Sequence, residues 1–181
     1  MDVALTWHPN TMNAVWAPSS LSEIDVVFRF KGKTAHAAAC PELGRSALDA
    51  AELMNVGVNF LREHIIDQAR IHYAFLDVGG QAPNVVQDTA ALYYYVRAPK
   101  KHQVDEIYPR VLKIAQGAAL MTETSVSVEI DTGISDFPPN RTISEVMGRC
   151  NVELGGIQFS EEAKKYADEI YETISETDRA S

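Results

Sequence analysis

The chain has 181 residues, and its 16 Lys plus Arg against 25 Asp plus Glu give a formal charge of -9 and a pI near 5.0. That balance excludes the basic face of a nucleic-acid-binding protein; 46% hydrophobic and 23% charged residues exclude disorder over most of the length. No run approaches the roughly 20 apolar residues of a membrane span, and the first residues lack a secretory n-region, so a cytoplasmic setting is expected.

Residues 1–21 carry the turn formers Pro9, Asn10, Asn13, Pro18, Ser19 and Ser20 and are expected to be irregular. From Ser22 to Phe30 the apolar residues Ile24, Val26, Phe28 and Phe30 alternate with Glu23, Asp25 and Arg29, which predicts a strand with one buried face. A glycine-containing loop over 32–44 follows. Residues 46–66 predict a helix capped by Ser46, with the stripe Ala50, Leu53, Met54, Gly57, Phe60 and Leu61. Strands are predicted over 69–78, 89–97 and 124–131, the last with Val126, Val128 and Ile130 inward. A second helix spans 101–121, and Pro109 inside it should kink it or delay its start. The order strand, helix, strand, strand, helix, strand fits an α+β, ferredoxin-like sandwich, a four-stranded antiparallel sheet with two helices on one face. The other face would carry Arg29, Tyr93, Tyr95 and Arg97 and is expected to be covered by a partner or another domain. After Asp136-Phe137-Pro138-Pro139 two helical stretches follow, near 142–154 and 160–174, and both flanks look cut from something larger.

Gly32-Lys33-Thr34 is not a phosphate loop, because it lacks the earlier glycine and no helix start follows. Cys40 and Cys150 stand 110 positions apart and make neither a disulfide framework nor a zinc cluster. His8, between Trp7 and Pro9, can be a metal ligand or a partly buried loop residue. His36 sits among small residues and can project into open space or another subunit. Asn84 follows Pro83 in a tight connection that commonly makes only a turn. Arg97 can clamp a carboxylate or form a surface ion pair.

Taken together, Gly32-Lys33-Thr34-Ala35-His36-Ala37-Ala38, Gly80-Gln81-Ala82-Pro83-Asn84-Val85-Val86 and Val96-Arg97 resemble the lid of the M20 family of metallopeptidases and amidohydrolases. The thirteen-residue step from Asn84 to Arg97 fits that lid. The strings over 39–50 and 52–64 point within the family to amidohydrolases of p-aminobenzoyl-glutamate or related N-acyl amino acids. The resemblance implies a lid and dimerisation domain over 21–133, with remnants of a catalytic domain over 1–20 and 134–181. It implies that His36 steadies the scissile carbonyl across a homodimer and that Asn84 and Arg97 hold substrate. It makes His8 a ligand to a divalent metal, zinc or manganese, in the intact protein, and it allows an A-type subunit as a further partner. The remaining metal ligands and the general-base glutamate have no counterpart here, so the chain alone is expected to be inactive. The alternative is a stand-alone ferredoxin-like module for interaction or small-molecule binding.

Overall fold

A computed structural model gives the structure of the chain and describes residues 3–10 and 12–179. The chain divides into two compact units, Pro18–Pro138 and a second made of Met1–Ala17 with Pro139–Ser181.

The first unit is a four-stranded antiparallel sheet in the order β2-β3-β1-β4, formed by β1 (Ser22–Lys31), β2 (Arg70–Asp77), β3 (Thr89–Ala98) and β4 (Ser125–Ile134). Helices α1 (Ala47–Leu61) and α2 (Lys101–Met121) pack on one face. This is the ferredoxin-like βαββαβ sandwich that the element order predicts. The alternation in β1 and β3 works as expected: Val26, Phe28, Leu92, Tyr94 and Val96 are fully buried beneath the helices. Ser46 caps α1 by accepting from the Asp49 N–H at 3.0 Å.

Three expectations need correction. The inward stripe of α1 is Ala47, Ala50, Ala51, Met54, Asn55, Val58 and Leu61, whereas Leu53 and Phe60 face outward and Phe60 is 72% exposed. The stripe is rotated because the Asn55 amide is satisfied inside, where it accepts from the Tyr94 hydroxyl. Pro109 does not delay α2, which begins at Lys101. Pro109 and Asp105 both lie on the exposed side, where water can satisfy the Asp105 carbonyl that the missing N–H leaves. Val128 and Ile130 lie opposite Phe28 and Val26 and so point to the helix face as expected, but they stay exposed, because β4 is an edge strand.

The second unit contains α3 (Arg141–Leu154), α4 (Glu161–Glu172) and the single turn α5 (Glu176–Arg179). Asn140 and Ser160 cap α3 and α4, and Glu161 and Glu162 occupy the first turn of α4, where the helix dipole favours them. None of the described residues of α3 or α4 is buried, and Val152, Leu154, Tyr166 and Ile170 are open to solvent.

Candidate functional site

Two loops leave the end of the sheet where Lys31 of β1 faces Thr89 of β3. They are stitched together by backbone hydrogen bonds. Gly32 N–H donates to the Asp88 carbonyl, Val86 N–H to Ala35 and Ala37 N–H to Asn84, at 2.8, 2.9 and 2.9 Å. Lys33 and Arg45 exchange two bonds of 2.8 Å across the first loop. Gly32 has to be glycine here, since a Cβ would lie 2.0 Å from the Arg45 carbonyl oxygen. Gly79 opens the second loop at φ +76°, with its N–H on the Asp77 carboxylate at 2.9 Å. That bond holds the Asp77 carboxyl below its ordinary value.

This lattice brings His36 and Asn84 together. His36 bridges Val85 in antiparallel fashion, one residue from Asn84. The N–H groups of Ala38 and Ala39 both donate to His36 Nδ1, at 3.2 and 3.1 Å. A nitrogen that accepts twice carries no hydrogen, so the ring hydrogen sits on Nε2. His36 is exposed and thus offers a neutral N–H donor to whatever approaches. Asn84 is also exposed, and its side-chain amide makes no hydrogen bond among the described residues. His8 has the opposite tautomer. Its Nδ1 donates to the Pro9 carbonyl at 2.8 Å and leaves a lone pair on Nε2, and the ring stands edge-on to Trp16 at 6.2 Å.

Arg97 does not join His36 and Asn84 within one chain. It faces Glu23, near the start of β1, and Arg70, at the start of β2. Eight residue steps along β3 separate it from Thr89, roughly 27 Å at strand rise. Its Nη2 donates to Glu23 Oε1 at 2.9 Å, and its Nε lies 2.7 Å from Oε2 as an ion contact without good hydrogen-bond alignment. The guanidinium lies 5.0 Å from the centre of the Tyr95 ring. Asp25 is 7% exposed beside this pair, and its Oδ1 has no hydrogen-bond partner among the described residues. Desolvation, then the hydrogen bond and charge of Glu23, push the Asp25 carboxyl up to about 7. Desolvation would raise Glu23 as well, but the bonds from Arg97 and Asp25 and the Arg97 charge hold it below its ordinary value. On the same face Tyr93 donates to Asp131 and meets Tyr95 edge-on at 5.0 Å. Sequence reasoning named Arg97 and Tyr95 but passed over Glu23 and Asp25 as solvent-side residues of an alternating strand. The available signal was their i, i+2 spacing on the face that carries Arg97.

Among the described residues no group of three or more His, Cys, Asp or Glu side chains is placed to hold a metal ion. His8 alone does not fit a two-metal centre. Cys40 and Cys150 are free thiols. No helix among the described residues is long and apolar enough to cross a membrane.

A family profile described as a peptidase dimerisation domain, of M20 type, matches residues 23–123. The chain is 47% identical over 179 residues to the B-type subunit of p-aminobenzoyl-glutamate hydrolase from Escherichia coli K12, covering 99% of this chain and 37% of that protein. It is 32% identical over 164 residues to a Mus musculus Xaa-Arg dipeptidase, covering 90% of this chain and 38% of the other. The chain therefore spans between a third and two-fifths of these relatives. Among solved structures, an aminobenzoyl-glutamate utilization protein from Klebsiella pneumoniae superposes with a TM-score of 0.62 at 22% identity, over 76% of this chain and 35% of that one, a likeness of fold.

Proposed function

The chain belongs to the M20 peptidase dimerisation-domain family, and from that premise we propose that it is the lid and dimerisation portion of a metal-dependent amidohydrolase. The substrate is p-aminobenzoyl-glutamate or a related N-acyl amino acid, a reading supported by the name of the Escherichia coli relative. Residues 21–133 are the lid, and 1–20 and 134–181 belong to the catalytic domain of a longer protein. Helices α3 and α4 support this, since they bury nothing among the described residues and so lack the core a free-standing module would need. The divalent metal, zinc or manganese, belongs with that longer protein. His8 is the one donor proposed from this chain, through its free Nε2.

The observation that carries the proposal is the opposite placement of two groups of polar side chains on one sheet. His36 and Asn84 stand at one end and Arg97 at the other. His36 Nε2–H donates to the scissile carbonyl oxygen as it becomes tetrahedral. Removing a donor of this kind costs about 100- to 1000-fold in rate. Asn84 adds an amide donor beside it, and Arg97 grips the glutamate carboxylate as a bidentate partner. A gap of roughly 27 Å is too long for one small substrate to span, so one substrate meets His36 and Asn84 of one protomer and Arg97 of the other. The chain enters the sheet at Ser22 and leaves it at Ile134, both beside Arg97. Each site then draws Arg97 from one protomer and His36 with Asn84 from the other.

The homodimer forms through the β2 edge and the outer face of α1. Leu53, Val56 and Phe60 make an exposed apolar stripe at i, i+3 and i+7 on α1, and Tyr73 and Phe75 are exposed on β2. The relative's name marks it as one of at least two subunit types, which supports a further, A-type partner. Without a complete metal set and a general base the 181-residue chain is inactive by itself. Sedimentation of the chain should give a dimer, and the purified chain should release no p-aminobenzoate from p-aminobenzoyl-glutamate with zinc or manganese added. A monomer at high concentration, or metal-dependent release, would overturn the proposal.

A further inference from the structure

The Arg97 guanidinium has two edges that can each take a carboxylate. Glu23 holds the Nε/Nη2 edge, and the Tyr95 ring lies against the planar face. Nη1 makes no hydrogen bond among the described residues, so an edge of the fork remains for a ligand. Behind the ion pair lies Asp25, buried, with one carboxyl oxygen unpaired. A bare carboxylate in that position would be poorly solvated and close to a second negative charge. A protonated carboxyl that donates to Glu23 avoids both penalties.

We infer that Glu23 and Asp25 are positioning residues for a carboxylate site on Arg97: Glu23 fixes the guanidinium by one edge, and the proton on Asp25 sets the charge that an incoming carboxylate meets. The inference rests on the proposed role of Arg97. With Asp25 protonated, Glu23 and Arg97 cancel and the ligand adds one negative charge. With Asp25 ionised, the cluster is already negative and the ligand is repelled. Groups facing Asp25 come from every strand: Glu23 on β1, Tyr95 and Arg97 on β3, Asp131 on β4, and His72 on β2 across Tyr95. Asp131 favours the proton on Asp25 and Arg97 opposes it. His72 acts on Glu23, helping to keep it ionised. The sign follows directly. Asp25 loses its proton as the pH rises through about 7, so carboxylate affinity falls above that value. Binding in turn draws a proton onto Asp25.

The test is calorimetric titration of N-acetyl-L-glutamate into the 181-residue chain between pH 6 and pH 8.5, with NMR of the Arg97 Nε–H locating the ligand in the variants that keep Arg97. The dissociation constant should rise above pH 7 with a slope approaching about tenfold per pH unit. Asp25→Asn, a neutral mimic of the protonated carboxyl, should bind at pH 8 as tightly as the wild type does at pH 6, with the slope gone. His72→Gln should keep the slope. Carboxyl carbon NMR should place the Asp25 midpoint near neutrality and move it down in Glu23→Gln. Arg97→Gln should abolish binding. If Arg97→Gln binds like the wild type, or the wild type binds at no pH, the Arg97 reading itself fails. If Arg97→Gln loses binding while Asp25→Asn keeps the slope, or if His72→Gln loses it, the inference about Asp25 fails alone.

Discussion

Tyr94 ties α1 to the centre of the sheet, and its removal should cost more than its contacts suggest. The side chain is fully buried, edge-on to Phe28 at 5.6 Å and stacked on Tyr73 at 5.2 Å. Its hydroxyl donates to the Asn55 side-chain carbonyl, itself in a buried residue. Burial pushes the phenol well above its ordinary range, so it stays protonated and remains the donor. Tyr94→Phe keeps the ring contacts and deletes only the donor, which strands the Asn55 carbonyl away from water. Leaving such a group unsatisfied costs about 1–3 kcal/mol. Asn55→Leu strands the hydroxyl instead and should cost a similar amount. The double variant removes both polar groups, so its loss should fall short of the sum of the singles by about 1–2 kcal/mol. Urea unfolding followed by far-ultraviolet circular dichroism measures all four species. Additive losses, or a Tyr94→Phe loss below about 0.3 kcal/mol, would refute the buried hydrogen bond as the reason for the rotated face of α1.

Gly57→Ala should destabilise the chain by about 1 kcal/mol, since a Cβ would fall 2.6 Å from Ile114 Cγ2 and the overpacking outweighs the gain in helix propensity. In an Ile114→Ala background the same change should be stabilising, as thermal denaturation would report. Asp25→Asn should also stabilise, in a defined window. The folded-state value of Asp25 is raised from 3.8 to about 7, so the unfolded chain loses this proton first as the pH rises. Wild-type stability therefore falls between about pH 4 and pH 7, and the variant's advantage grows over that range to about 1–2 kcal/mol after allowance for solvent screening at the sheet face. Denaturation midpoints at pH 4, 5.5 and 8 would show it. Phe60→Glu should shift the chain to monomer by more than tenfold in dissociation constant, because it places a charge on the most exposed member of an apolar stripe; analytical ultracentrifugation gives the answer.

The strands were legible because a period of two survives in β1 and β3 from Ser22 to Phe30 and from Thr89 to Arg97. The helical face of α1 was not, since the burial of Asn55 depends on a hydroxyl supplied from β3, and no local pattern in α1 records that. Leu53 and Phe60 fit the 3-4 spacing well and still point outward, where a second chain can use them. His36 and Asn84 were found from their loops, and the hydrogen bonds between Ala35 and Val86 and between Ala37 and Asn84 explain how two segments distant in sequence become neighbours. The separation of Arg97 from them was implicit in the length of β3, which joins the Asn84 loop to Arg97. Glu23 and Asp25 needed more, because strand register is what sets Glu23 opposite Arg97 and Asp25 opposite Tyr95.

The division of one site between two protomers can be tested by complementation. Residues 22–134 would replace the matching lid of the Escherichia coli relative, and the chimera would carry His36→Ala, Asn84→Ala or Arg97→Ala. Each variant alone should be inactive on p-aminobenzoyl-glutamate. Mixing His36→Ala with Arg97→Ala chains should restore about a quarter of the unsubstituted rate, since half the dimers are mixed and each holds one intact site. Mixing His36→Ala with Asn84→Ala should restore nothing. Recovery in the second mixture, or none in the first when mixed dimers are shown to form, would contradict a site built from His36 and Asn84 of one protomer and Arg97 of its partner.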